Sequence, residues 1–180
     1  VISMGGTFDR LIKQGHDVHV AYHTSGNIAV NDSNVLAVAE LIKKIALSLN
    51  INDVNFLMSD KNSKLDKKQI SWTLNNIINF HKNISNLITK EIDFEGHKII
   101  NKIKGTIRQS EAFEACRYLD LTKDENIHYL DMPFYQTGTI KKKDIGEDDI
   151  KLVQNLIQKI KPHQIYAAGD LSDPHGTHRL

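Results

Sequence analysis

The stretch PHQIYAAGDLSDPHGTH, residues 162–178, decides the reading of the fold. Its short apolar run, Ile165, Tyr166, Ala167 and Ala168, is bounded by turn formers, the pattern of a buried strand in an α/β sheet. The loop that follows carries Asp170, Asp173, His175 and His178. In an open parallel sheet the carboxyl end of a strand is where ligands and reacting groups gather, so the chemistry is expected in this loop. One helical turn sets His175 and His178 on the same face, where they can share a metal or a reacting group. A histidine pair is not by itself a zinc site, because a catalytic zinc takes about three protein ligands plus a water.

Working back from this stretch, residues 147–160 have helical periodicity and stop at Pro162, and residues 126–132, NIHYLDM, form a strand closed by Pro133. The basic cluster Lys141 to Lys143 is followed at once by Asp144, Glu147, Asp148 and Asp149, which reads as a solvated loop. An amphipathic helix is predicted over 106–119, with Ile107, Ala112, Ala115, Cys116 and Leu119 inward and Arg108, Gln109 and Glu111 near its start. Between about 28 and 100 lie helical segments at 33–48 and 68–92, rich in Asn, Lys and Ile, with no chemical motif. Such an excursion reads as a helical insertion that walls a pocket or carries an oligomer contact, and His81 and His97 within it read as solvated. At the other end, 1–15 is a helix stopped by Gly15, and 16–24 alternates as a strand, with Val18, Val20 and Tyr22 on one face. The adjacent Gly5 and Gly6 suggest close packing of the helix start against a strand. Helix, glycine and strand make half of a βαβ unit, whose first strand is expected before Val1. Helices alternating with strands, without hairpin signals, predict an α/β fold with a mostly parallel sheet.

With 40% hydrophobic and 25% charged residues, the 180-residue chain fits one globular domain or most of one. A net charge of +1 without a basic stripe gives no electrostatic case for nucleic acid or an anionic membrane. Cys116 is the single cysteine, which excludes an internal disulfide, and it reads as a free buried thiol in a reducing compartment. No apolar run reaches the roughly 18 residues of a membrane span, so a cytoplasmic protein is expected.

Three stretches, in this order, resemble the LmbE-like or PIG-L family of zinc-dependent N-acetylglucosaminyl deacetylases. They are GGTFDRLIKQGHDVHVAYHTSG at the start, Arg108-Gln-Ser-Glu111 with its apolar continuation, and the strand leading to His175-Gly-Thr-His178. The resemblance implies a Rossmann-like three-layer α/β/α fold with a helical insertion at about 28–100, truncated at both ends. The family's His-Pro-Asp-Asp segment is expected upstream of Val1, on the missing first strand. The stretches VISMGGTFDRL, AYHTSGNIAV, MPFYQTGTIKK and YAAGDLSDPHGTH also resemble the carboxy-terminal part of long bacterial proteins that join a glucosamine-6-phosphate deaminase-like domain to an LmbE-like domain. That resemblance implies an upstream deaminase-like domain in the same chain, an amino-sugar substrate and a possible homo-oligomer.

The family pattern, carried over residue by residue, implies that His178 ligates zinc or another divalent metal. The His and second Asp of the upstream segment would complete the set, and its first Asp would be the general base. The implied reaction is metal-assisted hydrolysis of the N-acetyl amide. His175 would stabilise the oxyanion or protonate the leaving amine as an imidazolium. Thr177 stands where related enzymes often have Asp, so Asp173 is the candidate to orient a histidine instead. Arg108 matches the arginine that contacts substrate, and its fork suits sugar hydroxyls or a phosphate. The expected substrate is N-acetylglucosamine 6-phosphate or a related acetylated sugar, and residues 1–180 alone are expected to be inactive. His23, at the carboxyl end of its strand, is a further candidate for the rim. Two other readings are a sugar-binding or regulatory domain of the fusion protein that has kept the fold but lost turnover and a metal-free Rossmann-like nucleotide-binding domain, the latter weakened by the lack of G-x-G-x-x-G.

Overall fold

Two short strands organise the larger part of the chain. The computed structural model describes residues 4–49, 67–89, 94–137 and 141–167. Strands β1 (Val20–Tyr22) and β2 (Ile127–Tyr129) pair in parallel, with Val20 opposite Ile127, Ala21 opposite His128 and Tyr22 opposite Tyr129. The period of two puts Val20, Tyr22, Ile127 and Tyr129 on one face. There they pack with Phe8 of helix α1 (Gly5–Lys13), with Cys116 and Phe113 of a later helix, and with Leu121. Cys116 is fully buried at the centre of this cluster, as the free-thiol reading expects.

The pairing is shorter than the expected strands. At its amino end the Asn126 side-chain amide donates to the Val18 carbonyl at 3.0 Å and to Asp17 at 2.9 Å, so a side chain takes the place of a ladder bond. At the carboxyl end two bonds prolong the contact, from Leu130 N–H to the Tyr22 carbonyl and from Met132 N–H to the His23 carbonyl, both 2.9 Å. Helix α1 ends as its glycine predicts: Gly15 has φ +81, and the N–H groups of Gly15 and His16 bond the carbonyls of Ile12 and Leu11. This double bond around a left-handed residue satisfies two carbonyls that a helix end otherwise leaves open. The close approach expected at Gly5 and Gly6 is absent, since a Cβ at either would meet nothing within 4 Å among the described residues. Both sit in the first turn of α1, where helix propensity matters least because the N–H groups there lack intrahelical partners.

The chain divides into two compact units, Val1–Ile28 with Gly105–Leu180, and Ala29–Lys104. In the second unit, α2 (Asp32–Ser48) packs against α3 (Lys67–Thr89), burying Val35, Ala39 and Ala46 of α2 and Ile84 of α3. His81 is not solvated as expected; it is largely buried and reaches Glu40 at 2.9 Å, while Lys43 holds the same carboxylate at 3.0 Å. His97 is exposed. Helix α4 (Phe94–Tyr118) starts well before the expected residue 106.

Helix α5 (Glu147–Ile160) has the expected bounds. It stops at Lys161, whose φ of +50 turns the chain ahead of Pro162; a residue before proline is sterically driven out of the helical region. Leu152 and Val153 of α5 pack on Met132, Phe134 and Tyr135. The loop before α5 is not simply solvated. Asp149 is buried and its carboxylate accepts from Phe134 N–H at 3.0 Å and Gly146 N–H at 2.9 Å, fastening the segment after β2 to the helix start.

The strand expected at 165–168 is not formed over its described residues. Residues 161–167 run without regular structure, and Ile165 and Tyr166 are exposed. Strand formation needs a neighbouring backbone to complete the ladder, and among the described residues only β1 and β2 pair. The described chain is therefore mixed, mostly helical with a small parallel strand pair, compatible with the α/β class.

Candidate functional site

The carboxyl ends of β1 and β2 face α4 through three close contacts. Tyr22 Oη donates to the Ala112 carbonyl at 3.2 Å and lies 3.4 Å from the Cys116 sulfur. Tyr129 Oη donates to the Gln109 carbonyl at 3.0 Å, and the two tyrosine rings stack with centroids 5.6 Å apart. Just beyond β1 the chain turns at Gly26, φ +65, where a Cβ would stand 3.2 Å from Arg108 Nε and 3.3 Å from its Cγ. Only glycine combines that backbone conformation with that approach at no steric cost. The loop after β1 thus lies directly against the Arg108 stem. Gly105, nearly a turn earlier on α4, gives similar room to Ser25, with 3.5 Å between the Ser25 Cβ and a Cβ at 105.

Around Arg108 the polar groups are specific. Its Nη1 pairs with the Glu111 carboxylate one turn along α4, and both side chains are about half exposed. Ser25 and Asn27, flanking Gly26, are 8% and 3% exposed, and Ser25 Oγ and Asn27 Oδ1 have no hydrogen-bond partner among the described residues. A buried polar atom without a partner costs on the order of 1–3 kcal/mol, so two side by side mark a place where polarity is kept for something other than stability. Burial pushes the Tyr135 phenol above its ordinary pKa, partly offset by the Ile28 backbone N–H and by Arg108. The Tyr22 phenol is raised by burial first and by the Cys116 contact second, and that of Tyr129 by burial and then by Cys116. All three phenols stay neutral at physiological pH and can serve as hydrogen-bonding groups, not as bases.

The opposite face of the strand pair carries an arrangement that the sequence reading did not single out. His19 Nδ1 lies 3.0 Å from His128 Nε2 with the rings stacked, and Asp17 approaches His19 Nε2 at 3.5 Å. Burial, then His19, then Lys159 hold the His128 imidazole below its usual pKa. The only sequence signal was a histidine before the middle of one strand and another at the middle of the next, which says nothing of their register.

Of the predicted site residues, Arg108 lies at the carboxyl ends of the pair, on α4 beside the turn after β1. His23 is exposed immediately after β1. Asp170, Asp173, His175 and His178 lie outside the described residues. Among the described residues no group of three or more His, Cys, Asp or Glu side chains is placed to hold a metal ion. Two open clefts lie away from Arg108: one of about 350 Å³ at the start of α5, lined by Phe134, Lys143 and Glu147, and one of about 630 Å³ along α1, lined by Thr7, Arg10 and Tyr166. Neither contains the unpartnered oxygens or the arginine, so the contacts around Arg108 define the better candidate.

No family model and no solved structure matches the chain significantly. Over all 180 residues it is 44% identical to part of a Bacteroides thetaiotaomicron protein named glucosamine-6-phosphate deaminase-like protein. The chain spans 24% of that protein's length. No helix among the described residues is long and apolar enough to cross a membrane.

Proposed function

We propose that the chain is an LmbE-like deacetylase domain within a longer protein that also carries a glucosamine-6-phosphate deaminase-like part, and that it hydrolyses the N-acetyl amide of an N-acetylglucosamine-type sugar. The observation that carries this reading is the seating of Arg108 against Gly26 at the carboxyl ends of a parallel strand pair, the end of such a sheet where substrates bind. Two further observations support it. The helix-to-strand order of α1 and β1 suits a Rossmann-like three-layer fold, and the similarity to a much longer protein named for an amino-sugar enzyme suits a fusion.

The described residues do not make a zinc site. Zinc, with His178 as one ligand in this reading, would supply Lewis-acid activation of water. Arg108 orients the sugar through its guanidinium, and the neutral Tyr135 phenol borders the same turn. His175 is the candidate to protonate the leaving amine, with Asp173 orienting the imidazole. The test is metal content by elemental analysis of the full-length protein. His178→Ala loses the metal and His175→Ala keeps it while losing turnover; equal metal loss in both variants refutes the assignment.

A further inference from the structure

On the face of the strand pair away from Cys116, His19 Nδ1 lies 3.0 Å from His128 Nε2, and the two rings are within 15° of parallel. We infer that this contact is an acid-opened latch between β1 and β2, which holds while one proton stands between the rings and parts when both rings are charged. At 3.0 Å one nitrogen donates and the other must keep its lone pair to accept. An imidazolium carries N–H on both nitrogens, so two charged rings would aim one N–H group at another with no acceptor between them. The contact therefore tolerates one imidazolium and not two. It also matters to the sheet, because the paired ladder spans only Val20 to Tyr22 against Ile127 to Tyr129. A side-chain bond across so short a ladder, between residues 109 apart in sequence, is a sizeable part of what joins the strands.

The charged groups facing the pair decide which proton opens it. Asp17 lies 3.5 Å from His19 Nε2, which favours a proton on that nitrogen and leaves Nδ1 to accept from His128. Asp17 stays ionised through the histidine range, since hydrogen bonds from Asn126 and then Lys123, with the Lys123 charge, hold its carboxyl below its ordinary pKa. On the other side Lys159 of α5 places a positive charge near His128. Burial, then His19, then Lys159 hold the His128 imidazole below its usual pKa. With His19 charged beside Asp17, the opening proton has to enter His128 against burial and two positive charges. The latch is thus closed above the ordinary histidine value of about 6.5 and opens as pH falls through the lowered value of His128. It lies towards the amino ends of the strands, away from Arg108, and needs no assumption about the reaction.

The experiment is amide hydrogen exchange of the full-length protein between about pH 7.5 and pH 5, corrected for the chemical exchange rate at each pH and read peptide by peptide. In the wild type, peptides covering 17–23 and 126–132 lose about tenfold in protection on acidification, while those covering α5 at 147–160 lose much less. Equal losses in the strand and α5 peptides, or no loss in the strand peptides, overturn the inference without any variant. His128→Gln keeps an amide that can donate and accept but takes up no proton in this range, and its strand peptides keep at pH 5 the protection they have at pH 7.5. His19→Gln, made in parallel in case the first variant does not fold, behaves in the same way. A variant that is less protected at every pH yet retains the wild-type pH dependence would show that the histidines only pack, and would overturn the latch.

Discussion

The strand pair with its helices and the helical segment Ala29–Lys104 spend their apolar residues differently. Around β1 and β2, Phe8, Cys116, Leu121 and Ile127 are buried in one cluster, drawn from two stretches far apart in the sequence. In the helical segment, α2 leaves Leu41, Ile42, Ile45 and Leu47 exposed and α3 leaves Trp72 and Phe80 exposed. Its buried contacts rest largely on small or β-branched side chains such as Val35, Ala39, Ala46 and Ile84. The difference teaches that stability and the candidate site share one framework: the elements that bury Cys116 are those that hold Tyr22, Tyr129 and Arg108.

That contrast can be broken most easily in the core. Phe8→Ala removes a buried ring from the cluster under the strands and is expected to cost about 3–5 kcal/mol in chemical unfolding. Trp72→Ala, at a site 70% exposed, is expected to change stability by no more than about 0.5 kcal/mol. Comparable losses for the two would mean that the helical segment buries Trp72 in solution and that the two regions are built alike.

A second break tests the fastening of the segment after β2. Asp149→Ala leaves the Phe134 and Gly146 N–H groups without their charged acceptor and is expected to cost about 2–3 kcal/mol, with Asp149→Asn costing less. An effect within about 0.5 kcal/mol would return Asp149 to the solvated role that its run of charged neighbours suggested.

How much of this was legible follows from the range of each interaction. Helix α5, the helical core of 106–119, the stop at Gly15 and the buried Cys116 rest on periodicity and local turn chemistry, and the sequence carries both. Asp149 looked like one more charge in a polar run, because its bond from Phe134 N–H is fixed by the return of the chain; its bond from Gly146 N–H, three residues earlier at the helix start, is a local capping contact. The same holds for the His19–His128 contact, which depends on register between strands more than a hundred residues apart. Residues 165–167 have the composition of a strand, but composition does not supply a pairing edge. Arg108 could be singled out only through a resemblance; its closeness to Gly26 is a fact of packing, whereas its pairing with Glu111 follows from i,i+3 spacing on one helix.

The smallest effect sharpens the comparison through pH. The folded-state pKa of His128 lies below its ordinary value, so the stability that its neutral form contributes is complete above the unfolded pKa, about 6.5, and is lost as pH falls through the folded value. Asp17 is lowered by its hydrogen bonds from Asn126 and Lys123 and by the Lys123 charge, so its contribution holds above its ordinary value of 3.8 and fades below it. Urea midpoints are therefore expected to fall in two separate windows on acidification. Replacing His128 with Phe is expected to flatten the upper window alone; an unchanged slope there would show that another group carries it.

The proposal that this chain is part of a zinc-dependent N-deacetylase meets its most direct test in acetate release from N-acetylglucosamine by the full-length protein, before and after chelation. The account predicts acetate release that chelation abolishes, that zinc restores, and that His178→Ala does not recover. A zinc-loaded, folded protein that releases no acetate, or a His178→Ala variant as active as wild type, would contradict it.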